Sequence, residues 1–323
     1  MRFFKLIILV SFSLFALYGP YIAYLNDYPR VKKNIIDIYP GESINSVVSK
    51  FSSNILINKI FIKFFLVTEN ITNFKVGEYS IKNKKIKDVI YEMANGNTVT
   101  HKLIILEGTN IYQLEEQINK SYLINDCSFL NCIDNSFPFF EGILYPDTYF
   151  YKKGMNSSEV IKKSYQKMLN FINTLEPNKY ASLNKNELLI LSSIIEKEAG
   201  NENEKSKIAS VFLKRLSINM KLQADPTIIY GLLPNFDGDI KKSDILDKNN
   251  KYNTYMIKGL PPTPIAISSK NSILAAFNSS PGDYLFFVAN SSNSHHFSKT
   301  YEEHLEKIKE LGLDKWRSYL LKV

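Results

Sequence analysis

The chain opens on a long apolar run and then settles into short alternating segments. From Leu6 to about Leu25 no charged residue occurs. A run of about 20 such residues matches the length that spans a hydrocarbon core. Beyond a linker at 26–33, NIIDIY (34–39) reads as a strand. Pro40-Gly41 then makes a turn, and Ser43 offers a helix N-cap. Asn58–Val67 reads as a second, apolar helix, GEYSI (77–81) as a returning strand, and Lys85–Ala94 as a helix ended by Gly96. From His101 a strand (KLIILEG) leads into a helix over 111–118. Amphipathic helices follow over 160–175, 187–198 and 204–216. EGILYPDTYFY (141–151) reads as strand and loop, DYLFFVAN (283–290) as a buried strand, and 301–311 as a helix. Helices gather in the middle and strands at both ends, which predicts an α+β fold.

Composition narrows the setting. With 323 residues, 45% hydrophobic and 22% charged, the chain is globular and long enough for one or two cores. Its net charge is +8. The lysines are dispersed and no nucleic-acid motif accompanies them, so an anionic membrane or an acidic polymer is the simpler counterpart. Arg2 and Lys5 before the apolar run predict a cytoplasmic tail (1–5), a retained transmembrane helix (6–25), and the rest outside the inner membrane, in the periplasm. Tyr18, Tyr21 and Tyr24 suit an interfacial aromatic belt. An oxidising compartment would permit a disulfide between Cys127 and Cys132, but their spacing leaves the pairing open.

Candidate chemistry concentrates in LSSIIEKEAGNENEKSKIASVFLKRLSINMKLQADPTIIYG (191–231). Glu196 and Glu198 project about 200° apart on a helix, so they cannot share one face. Glu198 falls in angle between Leu191 and Ile194, on the apolar side. A carboxyl there is desolvated, which favours its protonated, proton-donating form. The competing reading is an exposed EKE face with no chemistry. A polar loop follows the next helix and carries Gln223, Asp225, Pro226, Thr227 and Tyr230.

IIEKEAG, KIASVFLKRL and MKLQADPTIIYG, together with EGILYPDTYFY, YNTYMIKGLPPTPIA (252–266), DYLFFVAN and HHFSKTYEEH (295–304), resemble the endolytic murein transglycosylases of the YceG-like (MltG) family. The motifs stand in the family's order over nearly the whole chain. Ile143, Ala224 and Thr263 depart from common family choices without removing an ionisable group. The resemblance implies an N-terminal anchor, a small LysM-like subdomain (34–100) and an α+β catalytic domain (101–323). It implies cleavage of nascent peptidoglycan strands with 1,6-anhydro-muramic ends, with Glu198 as the single acid and base. Glu196 is the alternative acid. It implies sugar contacts from Gln223, Asp225, Thr227, Tyr230, Asn253, Tyr255, Asp147 and Tyr149, since sugar rings pack on aromatic faces. The implied partners are glycan strands, inner-membrane lipid and peptidoglycan synthases, with no cofactor and no metal. Two other classes stay open. His295, His296 and His304 could indicate a zinc amidase, though no HExxH or CxxC accompanies them. The LysM-like part could instead belong to a non-catalytic wall-binding protein.

Overall fold

The computed structural model describes residues 16–31, 33–52, 55–290 and 294–313. The first half of the expected anchor, residues 6–15, therefore lies outside the described residues. Residues 16–25 are helical and form α1. No helix among the described residues is long and apolar enough to cross a membrane.

Two compact units divide the chain. The first comprises Met1–His101 and Phe150–Met155. Its strands β1 (Ile35–Ile38) and β2 (Gly77–Ser80) pair antiparallel, with Ile35 opposite Ser80 and Ile38 opposite Gly77. Between them lie α2 (Ile44–Ser49) and α3 (Leu56–Thr68). Ser43 caps α2 by accepting from the Ser46 N–H. After β2 comes α4 (Ile86–Asn95), ended by Gly96 in the left-handed conformation that glycine adopts most cheaply. The core joins Ile36, Ile38, Val47, Phe51, Ile62, Phe65, Tyr79, Ile90 and Met93. Leu25 of α1 is part of it, so the end of the apolar run is packed into this unit. Lys153, from the segment that returns at 150–155, pairs with Asp37 at 2.8 Å.

The second unit comprises Lys102–Tyr149 and Asn156–Val323. Strand β3 (His101–Ile105) pairs with β4 (Asp147–Tyr151). Its helices are α5 (Ile111–Asn119), α6 (Ser157–Asn173), α7 (Lys185–Glu198), α8 (Lys205–Ser217), α9 (Asp225–Leu232), the short α10 (Lys242–Ile245) and α11 (Lys270–Asn278). A hairpin of β5 (Phe286–Ala289) and β6 (His295–Ser298) follows, with α12 (Tyr301–Glu310) packed on both strands. Cys127 and Cys132 are joined as a disulfide. The architecture is α+β.

Two local expectations change. The stretch after Gln223 is not a loop, because residues 225–232 are helical. Pro226 sits in the first turn, where its missing N–H has no intrahelical partner to lose. Helix α7 is not amphipathic either. Leu188 through Ile195 are all buried, serines included. Ser192 and Ser193 return their hydroxyls to the Leu189 and Ile190 carbonyls, so the polar positions cost no unmet hydrogen bond. The middle of a helix packed against α8, α9 and α11 has no solvent face to show.

Candidate functional site

Helix α7 delivers the two glutamates, and the structure gives them different tasks. Asn184 caps its start, accepting from the Asn186 and Glu187 N–H groups, while Glu187 accepts from the Asn184 N–H. This capping box and the buried flanks fix the helix axis. Near its far end Glu196 turns toward α11. Its Oε2 accepts from the Ser269 N–H at 3.0 Å, the Ser269 hydroxyl at 2.6 Å and the Ser272 hydroxyl at 2.5 Å. Lys205 Nζ lies 3.3 Å away, itself almost fully buried. Ser269 is the N-cap of α11, so Glu196 rivets that helix start to α7. One oxygen of Glu196 thus gathers four donors and acts as a structural joint between α7, α8 and α11.

Glu198 is the last residue of α7 and is partly exposed. Ala199 leaves the helix in an extended conformation, which opens the chain beside it. Arg215 of α8 lies within charge range of Glu198 and of Tyr255. Its guanidinium is buried, with Nε donating to the Leu285 carbonyl at 2.7 Å and Nη1 to the Leu222 carbonyl at 2.6 Å. Burial pushes this group down to about 10, so it stays cationic near neutral pH. Tyr255 in turn donates its hydroxyl to Asp225 Oδ1 at 2.6 Å. Glu198, Arg215, Tyr255 and Asp225 thus form one electrostatic group, carried by α7, α8, α9 and the loop after α10.

A second group surrounds Glu141. This carboxyl is 5% exposed. Oε2 accepts from the Ile111 N–H at 2.8 Å and Oε1 from the Gly142 N–H at 3.0 Å. The Tyr230 hydroxyl is its third partner. Burial outweighs these donors and pushes Glu141 up to about 7. The Tyr230 ring meets the Tyr252 ring edge-on at 4.8 Å, and Tyr252 bonds Thr263 at 2.9 Å. Burial first, then the neighbouring Glu141 charge, raises the Tyr230 phenol. Two glycines allow this packing. A Cβ at Gly142 would stand 2.6 Å from Pro264 Cβ, and one at Gly231 only 1.9 Å from Asn250 Oδ1.

The remaining sequence candidates divide. Gln223 is partly exposed in a left-handed turn, its N–H bonded to the Thr254 carbonyl at 3.2 Å. Thr227 is fully buried and spends its hydroxyl on the Ala224 carbonyl and Thr254. Asn253 is also fully buried, its amide donating to the carbonyls of Asp244, Ile245 and Asp247. Tyr149 is buried with its hydroxyl on the Tyr145 carbonyl at 2.7 Å. Asp147 is exposed and paired with Lys167. Thr227, Asn253 and Tyr149 are therefore turned to the chain's own backbone. Polar residues in such a motif shape a loop as readily as they bind sugar, and spacing cannot separate the two.

Arg215, Glu141 and Tyr252 were not singled out from the sequence. Arg215 sits in a lysine-rich helix, and Glu141 opens a motif whose aromatic residues draw the eye. The signal for Glu141 was its place among apolar neighbours (FPFFEGIL).

The histidines are dispersed in role. His295 Nδ1 pairs with Glu204 at 2.8 Å, His296 is exposed, and His304 stacks on Phe286. Among the described residues no group of three or more His, Cys, Asp or Glu could hold a metal ion.

A model of the YceG-like family matches residues 36–310. A Bacillus subtilis (strain 168) protein named endolytic murein transglycosylase is 31% identical over 304 residues, covering 85% of this chain and 83% of that protein. A protein of the same name from Streptococcus pneumoniae serotype 2 (strain D39) is 25% identical over 288 residues, 76% of this chain and 52% of its own length. The chain thus spans about half of the pneumococcal relative. Among solved structures, a putative yceG-like protein from Listeria monocytogenes superposes with a TM-score of 0.54 at 30% identity, covering 84% of this chain and 97% of that one.

Proposed function

The chain belongs to the YceG-like family, and from that premise we propose that it is an endolytic murein transglycosylase that cuts peptidoglycan glycan strands internally. The observation that carries the assignment of the acid is the division of labour on α7. Glu196 is consumed by Ser269, Ser272 and Lys205, whereas Glu198 stands partly exposed at the helix end within charge range of Arg215.

Glu198 protonates the glycosidic oxygen of a muramic acid–glucosamine bond. The C1–O bond breaks as the muramic C6 hydroxyl attacks C1. Glu198, now a carboxylate, takes the C6 hydroxyl proton and returns to its starting state. The product is a 1,6-anhydro end, and neither water nor an enzyme nucleophile is consumed. Arg215 supplies a fixed positive charge to the carboxylate between the two transfers. Asp225, oriented by Tyr255, acts on the substrate as a hydrogen-bond acceptor or as a counter-charge to the oxocarbenium-like centre.

Mass spectrometry of muropeptides after incubation with the full chain in detergent tests this. Anhydro ends are expected. Reducing ends would assign a hydrolase, freed stem peptides an amidase, and intact strands a binding protein. Asp225→Asn and Tyr255→Phe should each slow cleavage roughly tenfold or more, the scale of one hydrogen bond to a charged group, with the anhydro product unchanged. A shift toward reducing ends in the Asp225 variant would make Asp225 a second catalytic carboxylate. Activity should also survive EDTA and substitution of His296. Loss on chelation that zinc restores would reinstate the amidase.

The apolar run Leu6–Leu25, with Arg2 and Lys5 before it, supports a retained single-pass anchor with both units on the outer side of the membrane. The strand–helix–helix–strand order of 35–80 supports a LysM-like subdomain. Intact mass of the membrane-extracted protein, with protease access in spheroplasts, checks the anchor. A mature chain starting near residue 25 would replace it with a cleaved leader.

A further inference from the structure

The outer face of α3 has the wrong chemistry for water. Phe61, Ile62, Phe65 and Leu66 of this helix face the core of the first unit. A second apolar stripe, Ile57, Ile60, Phe64 and Val67, recurs at three- and four-residue spacing on the opposite side. Val67 is 78% exposed, Leu56 73% and Phe64 56%. Scattered exposed apolar side chains are ordinary, but a contiguous helix face of them marks an interaction surface. Lys59 and Lys63 border the stripe, and α3 contains no acidic residue.

Helix α1 lies directly beside this face. The Tyr21 ring meets Phe64 at 5.4 Å and Phe61 at 5.7 Å, both edge-on. Tyr24 bonds Ser52 at 2.9 Å, and Leu25 is buried. Leu17 and Tyr18, one turn earlier, extend the exposed apolar surface. The described end of the N-terminal run, residues 16–25, is therefore packed into the first unit alongside α3.

We propose that the exposed face of α3 lies in the headgroup region of an anionic lipid bilayer, beside the point where α1 would enter it, and seats the first unit on the membrane surface. The proposal rests on the reading of the N-terminal run as an anchor. Lipid is favoured as the occupant by two observations. The stripe adjoins the segment that would enter the bilayer, and the only charged side chains on α3 itself, Lys59 and Lys63, are basic. Amphipathic helices of this kind bury their apolar side about 5–10 Å into the interface and gain from anionic headgroups.

The test uses the full chain reconstituted into phosphatidylglycerol–phosphatidylcholine vesicles. Trp316→Phe removes the native tryptophan. Val67→Trp then places an indole on the stripe, at a position exposed enough to accept it without repacking. Tyr122→Trp, a 56% exposed site in the second unit, is the control. Flotation reports the anchor, and lipids brominated near the headgroup report contact. The Val67→Trp variant should emit at shorter wavelength and lose emission to the brominated lipid, while the control should do neither. Vesicles that float the protein but leave both variants alike would overturn the surface contact and spare the anchor. A blue shift untouched by brominated lipid would assign the face to a second copy or another protein. Protein that fails to float would overturn the anchor and the surface contact together.

Discussion

Glu198→Gln abolishes glycan cleavage and leaves the thermal midpoint in place. The amide can neither give nor recover the proton, and general acid–base catalysis is worth about 10²–10⁴ in rate. The side chain is partly exposed at a helix end, so the substitution removes chemistry without opening the core. Glu196→Ala does the reverse. It strips the Ser269 N–H, two serine hydroxyls and the buried Lys205 of a shared acceptor. Glu202 still pairs with Lys205, which moderates the loss. Breaking a buried pair of this kind costs about 3 kcal/mol, or roughly 6–12 °C in a domain of this size. Activity below the new midpoint should persist. Turnover of anhydro product and calorimetry on both variants check the pair. A stable, inactive Glu196 variant beside an active Glu198 variant would reverse the assignment.

Glu141 predicts a pH dependence of stability with an unusual sign for a carboxylate. Its folded value of about 7 lies above the ordinary value of 4.5 because burial disfavours the charge. Between these two values the folded state binds more protons than the unfolded state. Stability is therefore fully supported below about pH 4.5 and falls as pH rises through 7. The span corresponds to about 3 kcal/mol at most, by linkage. Glu141→Gln removes the titration, so its unfolding free energy should lose this component of the slope between pH 5 and 8. The variant should also carry a constant penalty of about 1–3 kcal/mol, since an amide nitrogen cannot accept from the Ile111 or Gly142 N–H. Denaturant melts of both proteins across that range decide it. An unchanged slope in the variant would show that Glu141 does not titrate there.

Both results bear on what the sequence could reveal. Cap residues such as Ser43, Asn184 and Gly96 act within a few residues of themselves, so helix ends could be anticipated from local chemistry. The angular separation of Glu196 and Glu198 is also local. It showed that they could not share a face, but from Leu188 to Ile195 α7 proves to be buried on every side. That Glu196 is riveted depends on Ser269 and Ser272, more than seventy residues away. Helix α9 was hidden because Gln-Ala-Asp-Pro-Thr looks like a turn. Its helical start depends on Thr254, which bonds the Ala224 N–H and the Thr227 hydroxyl from thirty residues on.

By itself the sequence determined the α+β class, the apolar N-terminal run, the family resemblance and the glutamate motif. These rest on periodicity and short-range spacing, which a chain carries wherever it folds. Only the tertiary structure decided that Thr227, Asn253 and Tyr149 turn inward, that Arg215 lies within charge range of Glu198, and that Glu141 is sealed among tyrosines. Polar side chains are satisfied by whatever donor or acceptor the fold brings near, and the cost of burial depends on neighbours far away in sequence. The same residue type can bind sugar or pin a loop, and long-range packing makes the choice.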